Sequence, residues 1–490
     1  MSPSKNMKAP SITGSKRPAP DSRPVSPPPL KRKTVQTTIT KTTVANFFTP
    51  TSQKPKDPTI WTERSPDKDT PATLLVAKYV SPDNKSEEKN KASKRRKIAA
   101  FDLDSTLITS ASGKKHPEDP SDWKWWHHSV PRRLRILYEE ESVSRISPFL
   151  SHISKSNYSS SFRFHIIIFT NQGGLTLHPD RKSKAPPKKH TERVPNFKQK
   201  CNAVISSLNI PRITLYAATG KDIFRKPRTG MWDEMLKDLD LSFDEIELQN
   251  SFFVGDAAGR GPLGGTKDFS CSDRNMAANI GINFLTPEEY FLEEKPREFG
   301  RDFDLENWHF GKLGDDHEWE KKEEKEMVLF VGPPGAGKST FFWKVLEPLG
   351  YMRINQDTLK TRAKCLKAAE DLLKGEEKTC HLAIDATNPD ADTRAEWVQL
   401  AKKHKVPIRC IWFKTPLELC AHNDAVRGLN KNHAGHNPEM RDLLPSLAFN
   451  SFKSRFKVPT EEEGLEKVIP VEFKFRGTEE EYKIWGRYWV

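Results

Sequence analysis

Cysteine is scarce in this chain: six in 490 residues, at Cys201, Cys271, Cys365, Cys380, Cys410 and Cys420, with no CxxC pair. That excludes a disulfide scaffold and a thiolate zinc framework, and it fits a reduced, intracellular setting. Long hydrophobic runs are missing. Stretches such as "HIIIF" fall far short of the roughly 20 apolar residues a bilayer-spanning helix needs, and "MSPSKNMKAPSITGSKRP" lacks the apolar core of a secretory leader. No membrane partner is expected. Glycine, at 25, is outnumbered by proline, at 37, and the hydrophobic fraction is only 35%, so part of the chain is expected not to pack. Acidic residues are thin at one end. Residues 1–97 carry 21 lysines and arginines against 8 acids, so nearly all of the net charge of +14 lies there and the remainder is close to neutral. Such a tail favours polyanions or import receptors and says nothing about fold.

The length exceeds what one hydrophobic core organises and implies two or three domains. Four regions are expected: a disordered basic tail (1–96), a first folded domain (97–300), a linker (301–324) and a second folded domain (325–490). In the tail, "KRPAPDSRPVSPPPLKRK" (16–33) sets two basic clusters on either side of a proline-rich spacer, as in a bipartite nuclear import signal, so an import receptor and a nuclear location are expected. "KTTVANFF" (41–48) resembles the motif that docks proteins on the sliding clamp, with Val44, Phe47 and Phe48 as three apolar plugs. Lys41 stands where that motif has glutamine.

Between 97 and 300, short apolar runs alternate with helix-length segments: "KIAAFDLD", "FRFHIIIFTN", "ITLYAAT" and "SFFVGDAAG". Strands of this kind belong to a parallel sheet, and the polar residues closing each run lie where such a sheet collects its ligands. Asp102 and Asp104 are two such residues, and like charges so close gain nothing structurally. "DLDST", "IIIFTN", "RKP" and "VGDAAGR", in that order, resemble the haloacid dehalogenase superfamily of aspartate-nucleophile phosphatases. The resemblance implies Asp102 as nucleophile, forming an aspartyl-phosphate, and Asp104 as the acid and then base. Thr170 would bond the phosphoryl oxygens and Lys226 would offset their charge. Mg²⁺ would be held by Asp102, Asp104 and Asp256. Where that superfamily often has a second acid, Ala257 and Ala258 follow, and Asp273 of "CSDRN" is a candidate for orienting the metal's water shell.

The second domain opens with "MVLFVGPPGAGKSTFFWKVL", a strand, a GxxxxGKS loop and a helix-forming run. Gly332, Pro333, Pro334, Gly335, Ala336, Gly337, Lys338, Ser339 and Thr340 make a nucleoside-triphosphate loop. Its backbone N–H groups wrap phosphates, Lys338 reaches the β- and γ-phosphates, and Ser339 ligates Mg²⁺. ATP is the expected co-substrate. "YMRINQDTLK", "HLAIDATNPDADTR" and "AHNDAVRG", in that order after the loop, resemble the polynucleotide 5′-kinase family. That implies Asp357 as the base for a 5′-hydroxyl, Asp385 as a Walker-B-like or substrate-orienting acid, and Arg394 and Arg427 as phosphate clamps. Asp357 and Asp385 also read as helix N-caps.

The two domains in this order resemble the bifunctional polynucleotide kinase 3′-phosphatase family, in a form without a forkhead-associated domain. The fold class implied is α/β, with two doubly wound parallel-sheet domains after a disordered tail. The function implied is repair of DNA strand-break termini by a monomer. End-healing of RNA, small-metabolite chemistry and a non-catalytic clamp-bound scaffold compete with it. The intact Asp102, Asp104, Lys338 and Ser339 argue against the scaffold, and the basic tail argues against small metabolites.

Overall fold

The computed structural model describes residues 58–81, 96–115, 117–139, 164–178, 187–262, 267–301, 303–308, 319–375, 380–431, 433, 435 and 438–490. The import signal at 16–33 and the clamp motif carrying Val44, Phe47 and Phe48 lie outside them. The basic stretch at 181–190 lies outside them up to 186, and its backbone from Pro187 opens the helix Pro187–Leu208.

The first sheet holds β1 (Thr59–Arg64), β2 (Leu74–Val80), β3 (Lys97–Phe101), β6 (Phe164–Asn171), β7 (Arg212–Ala218), β8 (Phe252–Val254) and β9 (Asn283–Leu285) in the order β1-β2-β7-β6-β3-β8-β9. A small hairpin of β4 (Ile108–Thr109) and β5 (Lys124–Trp125) stands beside it. From β7 to β9 the strands are parallel, and β3 lies in the middle with all five residues buried, which is why it reads as an unbroken apolar run. Side chains alternate between the faces: Ala99, Phe101, Ile168 and Leu215 enter one core layer, and Ile98, Ala100, Ile167 and Tyr216 the other. Trp123, Trp125 and Trp126 pack against the first layer.

The tail expected to be disordered through residue 96 is corrected here. Residues 59–64 and 74–80 form an antiparallel hairpin, and β2 pairs antiparallel with β7, making the sheet mixed. The reason is local: in "LLVAKYV", Leu74, Leu75, Val76 and Ala77 are fully buried, a signal diluted when composition is averaged over a polar segment. Asp238 on the helix Gly230–Leu239 ties the hairpin down, accepting from Arg64 (2.6 Å), Lys78 (2.7 Å) and the Tyr216 hydroxyl (2.8 Å).

The second sheet is wholly parallel. Its strands are β10 (Met327–Val331), β11 (Tyr351–Asn355), β12 (His381–Asp385), β13 (Ile408–Phe413) and β14 (Lys467–Val471), in the order β11-β12-β10-β13-β14. The chain from β10 enters the loop at 332–337 and then the helix Lys338–Phe341, which widens into a π turn at Phe342–Leu346. The expected linker 301–324 is also corrected. Phe303, Leu305 and Trp308 pack with Leu419, Val426 and Trp485, and Trp319 donates to the Tyr351 hydroxyl at 2.8 Å, so its described parts belong to the folded body.

Candidate active sites

In both sheets the chemistry gathers at the carboxyl ends of the strands, where parallel α/β sheets leave backbone and side chains free to meet a ligand. In the first, Asp102 follows β3 and its N–H bonds the Val254 carbonyl at 2.9 Å; Thr170 is the last residue but one of β6, and Asp256 follows β8. Lys226 reaches under them. Its ammonium donates to Asp102 Oδ1 (2.6 Å) and the Phe169 carbonyl (2.9 Å) and pairs with Asp273 Oδ1 (2.8 Å). Its peptide is pinned by Asn171, which accepts from Lys226 N at 2.9 Å and donates to its carbonyl at 3.2 Å.

Asp273 enters from the first turn of the helix Ser272–Ile280. Its carboxylate is almost fully buried and accepts from Ala257 N at 3.1 Å. Gly255 permits this approach: a Cβ there would stand 2.3 Å from Asp273 Oδ2. Asp102, Asp256 and Asp273 each offer an oxygen, all within 4.8 Å of one another. Asp273 thus fills the place that Ala257 and Ala258 leave empty of acid, closer to the reacting group than its sequence position suggested.

Three carboxylates against one ammonium leave excess negative charge in a buried site. Burial pushes the Asp102 carboxyl well up; Lys226 opposes this, while Asp273 and Asp256 add to it. Burial, then Asp273, push Asp256 to about 7 against the pull of Lys226. For Lys226, burial alone would lower the ammonium, but Asp102 and Asp273 more than reverse it. Such a donor set, all hard oxygens with uncompensated charge, suits a divalent cation such as Mg²⁺.

The expected place of the Asp104 carboxylate among the metal ligands is corrected. Its side chain is half exposed and outside that trio, held by Gln172 Nε2 (2.7 Å) and Lys200 Nζ (3.2 Å). Gln172 also donates to Thr170 Oγ1 at 2.9 Å, tying the two together. Gln172 and Lys200 had no motif to mark them.

In the second sheet, the glycine loop follows β10. Gly335 has φ +80° and a Cβ there would meet the Cys420 carbonyl at 2.3 Å, so only glycine fits. The buried Lys338 ammonium donates to the Gly332 (3.0 Å) and Pro333 (2.6 Å) carbonyls. Burial lowers it to about 8 against the opposing pull of Asp385. Asp385 ends β12 and accepts from Ser339 Oγ (2.8 Å), Asn355 Nδ2 (3.1 Å) and Arg353 Nε (2.8 Å). Asp357 stands in the first turn of the helix Gln356–Leu359, exposed and paired with Arg441 at 2.6 Å. Neither acid is an N-cap; Asn355 and Asp390 cap the helices beside them. Lys338, Ser339, Asp357, Asp385 and Arg427 all line one cleft of about 1310 Å³, with Arg441, Arg455, Lys474 and Arg476 on its walls. Arg427 also pairs with Asp424.

Arg394 is elsewhere, which corrects its expected role as a phosphate clamp. Fully buried, it forks onto Glu463 (2.7 and 2.6 Å) and donates to the Asn388 (3.2 Å) and Lys457 (3.0 Å) carbonyls, so it braces the fold and does not line the cleft. Arg394→Ala should therefore lower unfolding stability by about 3–5 kcal/mol, as broken buried pairs do, in denaturant titration. The KM for ATP should stay within about twofold, since the loss is of support and not of uniform substrate binding.

Residues 97–291 match the family described as "Polynucleotide kinase 3 phosphatase", and residues 327–459 match one described as "AAA domain". The chain is 38% identical over 417 residues to the "Bifunctional polynucleotide phosphatase/kinase" of Schizosaccharomyces pombe, covering 84% of this chain and 86% of that one. The chain belongs to the bifunctional polynucleotide phosphatase/kinase family. A "Putative bifunctional polynucleotide phosphatase/kinase" of Acanthamoeba polyphaga mimivirus is 32% identical over 406 residues, with 77% of this chain and 85% of that one covered. The "Polynucleotide 3'-phosphatase" of Saccharomyces cerevisiae is 29% identical over 229 residues, covering 40% of this chain and 87% of that one, so it aligns with less than half of this polypeptide. Two catalytic centres on one chain are thus a family property, and the geometry gives each its own residues.

Proposed function

We propose that this chain makes broken DNA ends ligatable in the nucleus, removing 3′-phosphates at the first site and phosphorylating 5′-hydroxyls from ATP at the second. The observation that carries this reading is the pairing, on one polypeptide, of a buried aspartate held by a lysine with a separate cleft where a glycine loop faces a carboxylate. Each suits one half of the task. A divalent cation held by Asp102, Asp256 and Asp273 in the first site, and by Ser339 in the second, supplies neutralisation of phosphoryl charge when bound.

At the first site, Asp102 attacks phosphorus and the P–O3′ bond breaks, its electrons passing to O3′, which takes a proton from Asp104. Asp104 then takes a proton from water. The resulting hydroxide attacks phosphorus, and the P–O bond to Asp102 breaks, restoring the carboxylate and releasing inorganic phosphate. Thr170 donates to the phosphoryl oxygens, and the Lys226 ammonium, exchanging its bond to Asp102 Oδ1 for one to them, offsets their charge. At the second site Asp357 takes the 5′-hydroxyl proton as that oxygen attacks the γ-phosphorus, and the bond to the β-phosphate breaks to release ADP. Lys338 and Arg427 hold the charge that develops. The basic clusters at 16–33 support import, and Val44, Phe47 and Phe48 support clamp docking, both on sequence alone.

The test tracks both termini of end-labelled nicked DNA and of matched RNA in the presence of Mg²⁺ and ATP. Conversion of 3′-phosphate to 3′-hydroxyl and of 5′-hydroxyl to 5′-phosphate on DNA is the expected result. Activity confined to RNA would overturn the choice of substrate, and absence of either conversion would overturn the reading of that site.

A further inference from the structure

The two sites are joined by a short piece of chain whose first residue, Trp485, lines the cleft of the second. Trp485 ends the helix Glu479–Trp485 and is buried against Leu419 and Val426. Its indole N–H donates to Asn423 Oδ1 at 2.7 Å, and Asn423 Nδ2 donates to the Gly335 carbonyl of the phosphate loop at 2.8 Å. Its own carbonyl accepts from His422 Nε2 at 2.9 Å. Burial lowers that imidazole to about 4, so it is neutral at physiological pH and bears the proton on Nε2 that this bond requires.

Three residues on, the same chain grips the other domain. Asn279 treats Tyr488 as a strand would treat its neighbour, accepting from Tyr488 N at 2.7 Å and donating to its carbonyl at 2.8 Å. The same amide nitrogen donates to the Pro227 carbonyl at 2.9 Å, beside Lys226. Arg228, half-buried, donates to Trp489 O at 3.0 Å, to Asp222 O at 2.9 Å and to Lys221 O at 3.2 Å. Arg301 covers the Tyr488 ring, and the Tyr488 hydroxyl donates to Asp304 at 3.1 Å.

Lys338 exchanges the Gly332 and Pro333 carbonyls for phosphate oxygens when the loop takes a triphosphate, and Asn423 holds Gly335 of that same loop. We propose that residues 485–489 are a strap that positions the phosphate loop and the Lys226 loop together, with Asn423 and Asn279 as its two positioning residues, so that nucleotide in the cleft alters the rate of 3′-dephosphorylation. This rests on the assignment of the two sites to phosphatase and kinase chemistry. It fits an enzyme that meets both lesions at one break. The part of the effect that lies in strand affinity is reciprocal: a 3′-phosphorylated strand alters nucleotide affinity by that same factor.

The test uses the full chain and a 3′-phosphorylated oligonucleotide, with and without a non-hydrolysable ATP analogue. The analogue should change kcat/KM for dephosphorylation by about fivefold or more, the lower end of ordinary coupling between sites. In Asn279→Ala, and in Trp485→Phe, which keeps an aromatic ring but loses the N–H, the change should shrink to less than about twofold. Asn279→Ala should still phosphorylate 5′-hydroxyls, which also reports that it is folded. The effect should disappear in Lys338→Ala. A chain that performs both reactions yet shows no analogue effect overturns the proposal alone, as does an effect undiminished in both strap variants or persisting in Lys338→Ala. A chain that performs neither reaction overturns the functional reading with it.

Discussion

Replacing Asp102 with asparagine should reduce 3′-dephosphorylation by a factor on the order of 10⁴–10⁶, the scale seen when a catalytic nucleophile is deleted. 5′-phosphorylation should stay within about twofold, since no interaction in the second site is removed. Asparagine keeps the size and one acceptor oxygen but cannot form the acyl phosphate. The fold should tolerate it. Lys226 retains Asp273 at 2.8 Å, and the upward push on the Asp102 carboxyl means that its charged form is held there at a cost. Thermal unfolding of the variant without divalent cation should accordingly lie no lower than that of the parent. Single-turnover assays on doubly end-labelled DNA give both rates at once. Loss of both activities would contradict two separate centres; substantial residual phosphatase activity would contradict Asp102 as the attacking group.

Much of this was legible in the sequence because the chemistry is written locally. The glycine loop and "DLDST" each place their residues within a few positions of a buried strand, and strand direction carries them to one sheet edge. What escaped was written across the chain. Asp273 arrives from a separate helix, and its closeness to Lys226 depends on Gly255 lacking a side chain. Arg394 sits just where a clamp would be sought, one turn into the helix after an acid-bearing strand. Its fate is set by Glu463, 69 residues further on, which sequestered it. β2 was concealed by an average over its polar surroundings, although "LLVAKYV" alone has the composition of a strand. The strap at 485–489 has no motif at all: its hydrogen bonds to the first domain run largely through main-chain groups, which no side-chain pattern reveals.

Lys338→Ala should abolish most 5′-phosphorylation, by about 10²–10³-fold in kcat, the loss expected when one preorganised donor to transition-state charge is removed. 3′-dephosphorylation should persist. The parent offers a finer check, since burial lowers the Lys338 ammonium to about 8. Phosphate oxygens favour its charged form, so bound nucleotide raises that value. Below about pH 8 the ammonium is protonated with or without nucleotide, and affinity owes nothing to its titration. Above it, binding must take up a proton, so affinity should fall as pH rises from about 8 towards the higher value of the complex. Calorimetry in buffers of differing ionisation enthalpy reads this uptake directly. It should approach one proton per nucleotide above pH 8 in the parent and vanish in Lys338→Ala, while uptake surviving the substitution would assign it to another group in the cleft.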